Sequence, residues 1–322
     1  MALTNFPDGI TSFGVPVLGN IGGIPLTGTY FFVDPATGSD AYDGLSPETP
    51  FSSLTAAYNS ATAGNNDVIV LIGDGSTTGT ARLTSTLTWA KNATHLIGVT
   101  APTMISQRAR ISTTTTQTTN INPLMTISAS GCIFANFSLF QGVGQASTDE
   151  QLAEISGGRN YFSNVQFGGM GAANGAARAG SYSVYLNNGD ENTFDSCTFG
   201  LDTISRSAAN ASIKFAAQSQ RNVFQNCLFP MYATATSPWF IDANSVGSID
   251  RFQLFKGCTF INTGTSTVAG VISFNASQGG KIVLDGCTVT GATAWTATAT
   301  ATVVVAGPVP NGSTSGVAVT AA

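Results

Sequence analysis

Charged side chains are scarce in this chain of 322 residues, where Asp, Glu, Lys and Arg together make up 9% of the sequence. A typical soluble domain contains ~25%. Because Glu, Lys and Arg favour helices, their scarcity argues against a mainly helical fold. The net charge of −5 leaves no basic stripe, so we do not expect nucleic acid as a partner.

Long apolar runs and histidines are also few. No apolar run approaches the ~20 residues that span a bilayer, so we expect no membrane association. Residues 1–8 lack the basic region and apolar core of a secretory signal. His95 is the only histidine, which excludes a multi-histidine metal site, and we expect neither a metal nor a cofactor.

A phrase of six residues is present in six copies in the second half of the chain, with a period of 28 to 32 residues. Each copy has apolar residues at positions one, four and six, and Asn, Ser or Gly at position three. The copies begin at Phe134, Phe162, Phe194, Phe224, Phe255 and Leu284. A period near thirty residues, kept while the intervening sequence changes, is typical of a solenoid.

The third position of the phrase is the predicted corner between two strands. Positions four and six share one face of a strand because side chains alternate, and position one can face the same side only if the chain bends between them. Asn and Gly enter the left-handed region at low cost, and Ser is common in turns. The corner residues are Asn136, Asn164, Ser196, Asn226, Gly257 and Gly286.

Stacked corners of this kind predict an all-β fold, a right-handed parallel β-helix with coils of about 30 residues lying roughly 4.8 Å apart. Four of the five cysteines, Cys197, Cys227, Cys258 and Cys287, occupy the inward column at position four. We expect them to be reduced and to act as small buried hydrophobes, as suits a reducing cytoplasm. The alternative is a β-sandwich with coincidental spacing.

Residues 1–28 contain no period and combine Gly and Pro with scattered large apolar residues. A disordered linker would be polar, so we predict a docking arm that lies along a surface of its own trimer or of a partner. A simple cap on the solenoid is the alternative. The candidate docking residues are Phe6, Pro7, Phe13, Val15 and Pro16.

Residues 29–290 are the predicted β-helix. Apolar residues at helical spacing over residues 50–61 predict a short helix that caps the exposed strand edges of the first coil. Residues 67–72 are the predicted first inner strand. Residues 291–322 are predicted to form a C-terminal β cap or trimer contact with a tail, since the Thr/Ala/Val alternation over residues 296–305 favours a strand.

Motifs that would indicate ligand chemistry are weak. Asp34, Asp40 and Asp43 lie among glycines, but their spacing does not follow the twelve-residue calcium loop and lacks its terminal Glu. The glycine-rich residues 73–79 lack the Gly-Lys-Ser/Thr of a phosphate loop. Turn chemistry explains both segments.

Polysaccharide-cleaving β-helices need paired carboxylates or a calcium-and-base site on the outer face. In the outward column at position two, Asp195 and Asp285 lie three coils apart, about 14 Å, which is too far for a paired mechanism. Two denser acidic clusters are interpreted as solvated loops: Asp190–Glu191–Asp195 and Asp149–Glu150–Glu154. We therefore predict no catalytic residue and expect that the protein is not an enzyme, with a polysaccharide lyase or hydrolase as the alternative.

Two segments carry a resemblance to known proteins. Residues 33–54, with Val33-Asp-Pro-Ala-Thr-Gly and Pro50-Phe-Ser-Ser-Leu54, followed by residues 67–71, resemble the opening of pectin-lyase-like β-helix proteins. Residues 6–17 resemble the starts of structural proteins of tailed bacteriophages. With its coils, nearly the full length resembles a phage virion β-helix protein of the capsid decoration (cement) or tailspike type.

This resemblance implies a homotrimeric structural protein on the capsid exterior, assembled in the host cytoplasm, whose arm contacts the major capsid protein. Low charge and few acidic residues favour this interpretation. The alternative is a tailspike-like or tail-fibre-like protein that binds or cleaves host surface glycans. Its groove would need exposed aromatic residues, for which the candidates are Tyr182, Tyr185, Trp239 and Trp295.

Overall fold

The structure, a computed structural model, describes residues 27–144 and 148–296, together with the backbone of residues 11–12, 15–16, 20–21, 24–25 and 303–306. These residues form thirty strands and two short helices. In the described part of the chain, no helix is long and apolar enough to cross a membrane.

The elements follow one another along the chain in three groups. The first group is β1 (Thr11–Ser12), β2 (Val15–Pro16), β3 (Asn20–Ile21), β4 (Ile24–Pro25), β5 (Tyr30–Val33), α1 (Leu54–Ser60), β6 (Val68–Ile72), β7 (Thr80–Leu83), β8 (Leu87–Trp89), β9 (His95–Val99) and β10 (Arg110–Thr113). The second is β11 (Met125–Ile127), β12 (Ile133–Ala135), β13 (Ser138–Phe140), β14 (Gln151–Ile155), β15 (Tyr161–Ser163), β16 (Gln166–Gly168), α2 (Ala173–Ala176), β17 (Tyr182–Asn187), β18 (Thr193–Asp195), β19 (Thr198–Phe199) and β20 (Ser205–Arg206). The third is β21 (Ala211–Ala216), β22 (Ser219–Gln225), β23 (Leu228–Ala233), β24 (Trp239–Ala243), β25 (Ile249–Lys256), β26 (Thr259–Asn262), β27 (Ile272–Phe274), β28 (Lys281–Asp285), β29 (Thr288–Thr290) and β30 (Val303–Ala306).

Three parallel sheets form the walls of one shaft. Sheet I contains β5, β6, β9, β12, β15, β18, β22, β25, β28 and β30. Sheet II contains β7, β10, β13, β16, β19, β23, β26 and β29, with β20 beside β23, and sheet III contains β8, β11, β14, β17, β21, β24 and β27. Because each coil passes from sheet I to II to III, the seven strands of sheet III mark about seven turns. The predicted parallel β-helix is confirmed.

The repeated phrase lies where sheet I passes into sheet II. In the third copy, β18 ends at Asp195, Ser196 forms the corner with φ 54°, and β19 begins at Thr198. The other corner residues also have φ between 50° and 61°: Asn136, Asn164, Asn226, Gly257 and Gly286. Since this left-handed region is costly for most side chains, it explains the residue types at position three.

Two columns of phenylalanine rings fill the shaft. Phe134, Phe162, Phe194, Phe224 and Phe255 stack with centroids 4.4–4.8 Å apart and interplanar angles of 3–10°. The second column, on sheet II, contains Phe167, Phe199, Phe229 and Phe260, with centroids 4.5–5.2 Å apart. The ring spacing is close to the distance between strands, so identical residues in successive coils keep the core in register.

The cysteines are free and buried. Between the two ring columns, each thiol donates to the carbonyl of the phenylalanine one coil below: Cys197 to Phe162, Cys227 to Phe194, Cys258 to Phe224 and Cys287 to Phe255, at 3.3–3.5 Å. Burial raises the pKa of the Cys227 thiol well above its ordinary value. That thiol therefore stays protonated at neutral pH.

An asparagine ladder holds the corner where sheet III passes into sheet I. The side-chain oxygens of Asn160, Asn192 and Asn222 accept from the backbone N–H of Cys132, Asn160 and Asn192, respectively, at 2.9–3.0 Å. Their amide groups donate to the carbonyls of Ala129, Gly157 and Gly189 at 2.8–3.1 Å. Each buried amide thus satisfies two backbone groups of the preceding coil.

The predicted capping helix is α1, whose first turn is capped by the Ser53 hydroxyl accepting from the Ala56 N–H. Its Tyr58 ring packs against Trp89 with centroids 4.6 Å apart. Lys91 Nζ donates to the carbonyls of Tyr58 and Ala61, both at 2.6 Å, where a positive charge suits the C-terminal end of a helix. The first strand of the shaft is β5 rather than residues 67–72, because β5 pairs with the outer edge of β6.

The two ends of the chain lie largely outside the described residues. Phe6, Pro7 and Phe13 of the predicted arm are outside them, whereas Val15 and Pro16 form β2, which pairs antiparallel with β1. At the other end, β30 adds to sheet I by pairing with β28. The remainder of residues 297–322 is outside the described part.

Candidate functional site

One outward column of sheet III combines two carboxylates, a phenol and an ammonium group. The register pairs Glu154 with Tyr185, Tyr185 with Lys214, and Lys214 with Asp242. We call these four residues the polar ladder. At one strand spacing per step, it extends about 14 Å along the shaft.

Strand alternation places these side chains on the outside. On β17, Val184 and Leu186 are buried in the shaft and Tyr185 between them is half-buried. On β21, Ile213 and Phe215 flank Lys214 in the same way. The buried neighbours fix the strands, so the outward residues have defined positions without forming the core themselves.

The members of the polar ladder contact one another and their neighbours. Lys214 Nζ lies 5.8 Å from the centroid of the Tyr185 ring, within the range of a cation–π contact. Asn187 Nδ2 donates to Glu154 Oε1 at 2.8 Å. Burial, and then the charge of Glu154, raise the pKa of Tyr185, so its hydroxyl remains a donor at neutral pH. The ladder therefore offers two donors, Tyr185 and Lys214, between two carboxylate acceptors, which suits a polyhydroxylated ligand.

The four aromatic candidates for a glycan groove do not form one exposed group. Tyr185 and Trp239 are partly exposed on sheet III. Tyr182 packs against Tyr185 at 5.1 Å between centroids and is buried. Trp295 is also buried, edge-on to Phe260 at 5.9 Å. Only Tyr185 and Trp239 of this set can reach a ligand, and the expectation for the other two was wrong because their rings are packed inside the protein.

The first acidic cluster is tied into contacts between coils. Glu191 forms ion pairs with Arg159 at 2.8 Å and with Arg221 at 3.2 Å. Asp190 accepts from the backbone N–H of Gln220 at 3.0 Å, and Asp195 accepts from the Tyr161 hydroxyl at 3.1 Å. Exposed pairs of this kind stabilise little, and the three carboxylates do not converge on one point.

The second acidic cluster contains a buried carboxyl. Glu150 is fully buried, and its Oε1 accepts from the Gly171 N–H at 2.9 Å. Gly175 of α2 packs against the Glu150 carboxyl so closely that a Cβ at this position would clash with Oε2, so the short helix covers the carboxyl. Burial raises the pKa of Glu150 to about 8. The interpretation of this cluster as a solvated loop is wrong for Glu150, while Asp149 forms a partly exposed pair with Arg178 at 3.2 Å.

The aspartates near the N-terminal end cap turns. Asp40 accepts from the backbone N–H groups of Ser52 and Ser53 at 2.9 and 2.8 Å. Asp34 accepts from Ala36, and Asp43 from Leu45, each within its own turn. Within residues 27–144 and 148–296, no three His, Cys, Asp or Glu side chains are placed to hold a metal ion.

His95 lies on the outer face of sheet I and not beside the polar ladder. Its Nδ1 accepts from the Ile133 N–H at 3.0 Å, and its side chain is buried. Burial lowers the pKa of His95, so the ring is neutral and carries its proton on Nε2.

Comparison with known proteins gives the fold. No protein-family model and no curated protein sequence matches the chain significantly. Among solved structures, a pectin methylesterase from Aspergillus niger is 13% identical with a TM-score of 0.51, over 80% of this chain and 76% of that chain. The pectate lyase Pel9A is 14% identical with a TM-score of 0.48, over 82% and 78%. The ORF18 protein of Geobacillus virus E2 is 16% identical with a TM-score of 0.29, over 80% and 61%.

These likenesses correct one expectation. The sequence analysis predicted that the protein is not an enzyme, but a solved structure of the same fold is that of a protein named as a pectin methylesterase, so the prediction is wrong. At 13–14% identity the likeness shows the fold alone: the chain is a parallel β-helix similar to those of pectin-active enzymes.

Proposed function

We propose that the protein is a structural component of a phage virion, a homotrimeric capsid decoration (cement) protein held on the capsid exterior by residues 1–28. The supporting observation is where that segment joins the shaft. Thr29 donates its N–H to Asp67 Oδ1 at 2.8 Å, and Tyr30 begins the outermost strand of sheet I. An apolar arm that leaves from the end of a stiff shaft can contact a second surface while the shaft projects from it.

Many weak contacts would then hold the protein to the capsid. Apolar residues of the arm would pack at subunit junctions of the major capsid protein, and three arms per trimer would multiply the apparent affinity. The low charge of the chain also lets copies lie side by side without strong mutual repulsion.

Purified virions test this proposal. Quantitative mass spectrometry should find the polypeptide in hundreds of copies per particle, and light scattering of the isolated protein should give a trimer. Recombinant protein with Phe6→Asp and Phe13→Asp should bind particles that lack it at least about tenfold more weakly, whereas Lys256→Ala should bind normally. Virions without the polypeptide would refute the role, and a few copies at the tail would favour the second candidate.

The second candidate is a tail-associated protein that binds or cleaves host glycans along sheet III. The polar ladder, with Trp239 on the same strand as Asp242, supports it, because a planar ring beside a row of donors and acceptors suits a sugar chain. The A. niger pectin methylesterase is an example of a protein of this fold that is named for an activity on a polysaccharide.

Glycan binding can be measured by calorimetry with a panel of neutral and acidic polysaccharides that includes pectin. Tyr185→Ala and Lys214→Ala should each weaken binding about tenfold, and Lys256→Ala on sheet I is the matched control. Release of methanol or of new reducing ends would separate cleavage from binding. Equal affinity of all three variants would exclude the polar ladder as the binding site.

A further inference from the structure

Three arginines lie close together on the outer face of sheet II, in its first coils. Arg82 is on β7, Arg110 is on the neighbouring strand β10, and Arg108 precedes Arg110 by two residues. Strand alternation places the side chains of Arg82 and Arg110 outside the shaft, because Ala81 and Ile111 belong to the core. We call these three residues the arginine cluster.

No carboxylate balances the charge of the arginine cluster within residues 27–144 and 148–296. The ion pairs there are formed by other arginines: Arg159, Arg178, Arg221 and Arg251. Asp74, in the loop before β7, accepts instead from the N–H and the hydroxyl of Ser76, both at 2.8 Å. The cluster therefore gathers three of the twelve basic residues of an acidic chain in one place without a counter-charge.

The three positive charges are close enough to oppose one another. Burial lowers the pKa of Arg110, and the charges of Arg108 and Arg82 lower it further. Like charges held side by side cost free energy in the folded state. A bound anion would remove that repulsion, so the cluster has an electrostatic reason to take one up.

Two buried polar atoms of the same surface have no hydrogen-bond partner among the described residues: Arg110 Nε and Thr80 Oγ1. Arg110 pairs with Thr80 in register, so the two side chains lie side by side on the outer face. Buried donors without an acceptor are costly, and an oxyanion could accept from both. Arg110 is half-buried and Arg82 is exposed, so the cluster is open to solvent.

Contacts within the protein orient two of the guanidinium groups before any ligand binds. Arg110 Cζ lies 5.6 Å from the centroid of the Phe140 ring, in the range of a cation–π contact. Arg82 Nη1 donates to the Thr113 carbonyl at 2.9 Å. A guanidinium group carries five N–H donors, so these contacts leave others for a ligand.

We propose that the arginine cluster binds one oxyanion group, such as sulfate. The guanidinium fork matches two oxygens of such a group and donates charge-assisted hydrogen bonds to them. Arg82 and Arg110 are on strands about 4.8 Å apart, so a single group can contact both. A nucleic acid would need a longer basic stripe, and the next strands of the sheet, β13, β16 and β19, contain no Lys or Arg.

This site is separate from both candidate functions. It lies on sheet II, whereas the polar ladder lies on sheet III and the arm consists of residues 1–28. The oxyanion can be a free ion or a group carried on a sugar chain, since the same guanidinium donors recognise both.

Sulfate binding to the full-length protein tests the proposal. The unfolding temperature is measured against the concentration of sodium sulfate, with sodium chloride keeping the ionic strength constant, and its saturation gives the dissociation constant. Sulfate also stabilises proteins by being excluded from their surface, and all variants share that contribution. The difference between variants is therefore the readout.

Arg82→Gln and Arg110→Gln should each weaken sulfate binding about tenfold or more. Lys256→Gln removes the same charge from the exposed outer face of sheet I and is the matched control, which should bind sulfate as the parent does. Because Arg82 is exposed, its substitution keeps the test valid even if Arg110→Gln perturbs the fold.

Dextran sulfate and unmodified dextran of the same length, compared by calorimetry, distinguish the sources of the group. Saturable binding of free sulfate that Arg82→Gln weakens would show that a free ion suffices. Binding of dextran sulfate alone, weakened in the same variant, would show that the group must be carried on a sugar chain. Binding of neither, equal binding by Arg82→Gln and the parent, or an equal loss in Lys256→Gln would overturn the proposal.

Discussion

The inward positions of the strands keep the same residue type from coil to coil, whereas the outward positions of the same strands vary. On β22, Phe224 points into the shaft and continues a ring column that is identical in five successive coils. The outward residues beside the corner change along the sheet: Ala135, Ser163, Asp195, Gln225, Lys256 and Asp285. Packing at a fixed strand spacing restricts the inner positions, whereas the outer positions are free to differ between the first coils, where they are apolar, and the last coils, where they are polar.

The largest effect should come from breaking an inner column. Phe224→Ala removes a ring that stacks between Phe194 and Phe255, and we expect a loss of about 3–5 kcal/mol in the free energy of unfolding, measured by urea denaturation. Val223→Ala, on the outward side of the same strand, is the control and should cost less than about 1 kcal/mol. Similar losses for the two variants would contradict the division into inner and outer faces.

The next effect compares a buried carboxyl with an outward one. The folded state holds the proton of Glu150 up to about pH 8, against an ordinary glutamate pKa of 4.5, so stability is complete below 4.5 and is lost as pH rises toward 8. The loss should be at most about 5 kcal/mol. Glu150→Gln should flatten the dependence of the unfolding free energy on pH, because the amide does not titrate while it still offers an acceptor to the Gly171 N–H. Glu154→Gln, on the outward polar ladder, should change the unfolding free energy by no more than about 0.5 kcal/mol at neutral pH. An unchanged pH profile in Glu150→Gln would locate its cause elsewhere.

A smaller effect sharpens the contrast between the two ends of sheet I. Val70→Lys places a charge among the buried outward residues of β6, and we expect a loss of about 2 kcal/mol in the free energy of unfolding, measured by thermal or chemical denaturation. Gln225→Lys, in the same outward column five strands further on, should change this free energy by no more than about 0.5 kcal/mol. Two harmless substitutions would contradict the contrast between the two ends of the sheet.

The smallest effect concerns the corner that joins sheets I and II. Asn226 has φ 54°, so Asn226→Ala should destabilise the protein by about 1 kcal/mol, while Asn226→Gly should be nearly neutral. The difference between the two variants isolates the backbone contribution from any side-chain contact. An alanine variant as stable as the glycine variant would remove the conformational explanation of position three.

The sequence predicted the parts of the fold that repeat. The phrase with Asn, Ser or Gly at its third position predicted the corner, the two inward ring columns and the coil length, because all three depend on residues at fixed spacing. The asparagine ladder was not predicted, although Asn160, Asn192 and Asn222 each lie two residues before the first phenylalanine of a copy. Asn is common in turns, and one such residue carries little information until the coils are aligned.

The candidate site was much harder to predict. Glu154, Tyr185, Lys214 and Asp242 lie on sheet III, whose distance from the corner phrase varies with the length of the preceding loop, so their shared register is not visible in the sequence. Glu150 was predicted to be solvated because the helix that covers it, α2, follows it by more than twenty residues, so their contact is not visible in the sequence. The expectation of no enzymatic activity was wrong for another reason: it rested on the number and spacing of the acidic residues, whereas a solved structure of the same fold is that of a protein named as a pectin methylesterase.

Thiol labelling of the native protein tests most directly the central claim that the repeated phrase faces into one shaft. Cys197, Cys227 and Cys258 lie in one file at 0–1% exposure. In native buffer, mass spectrometry should find these three unlabelled over a period in which the denatured protein reacts at all five cysteines. Labelling of any of the three at the rate of an exposed thiol, while the protein remains folded, would contradict the account.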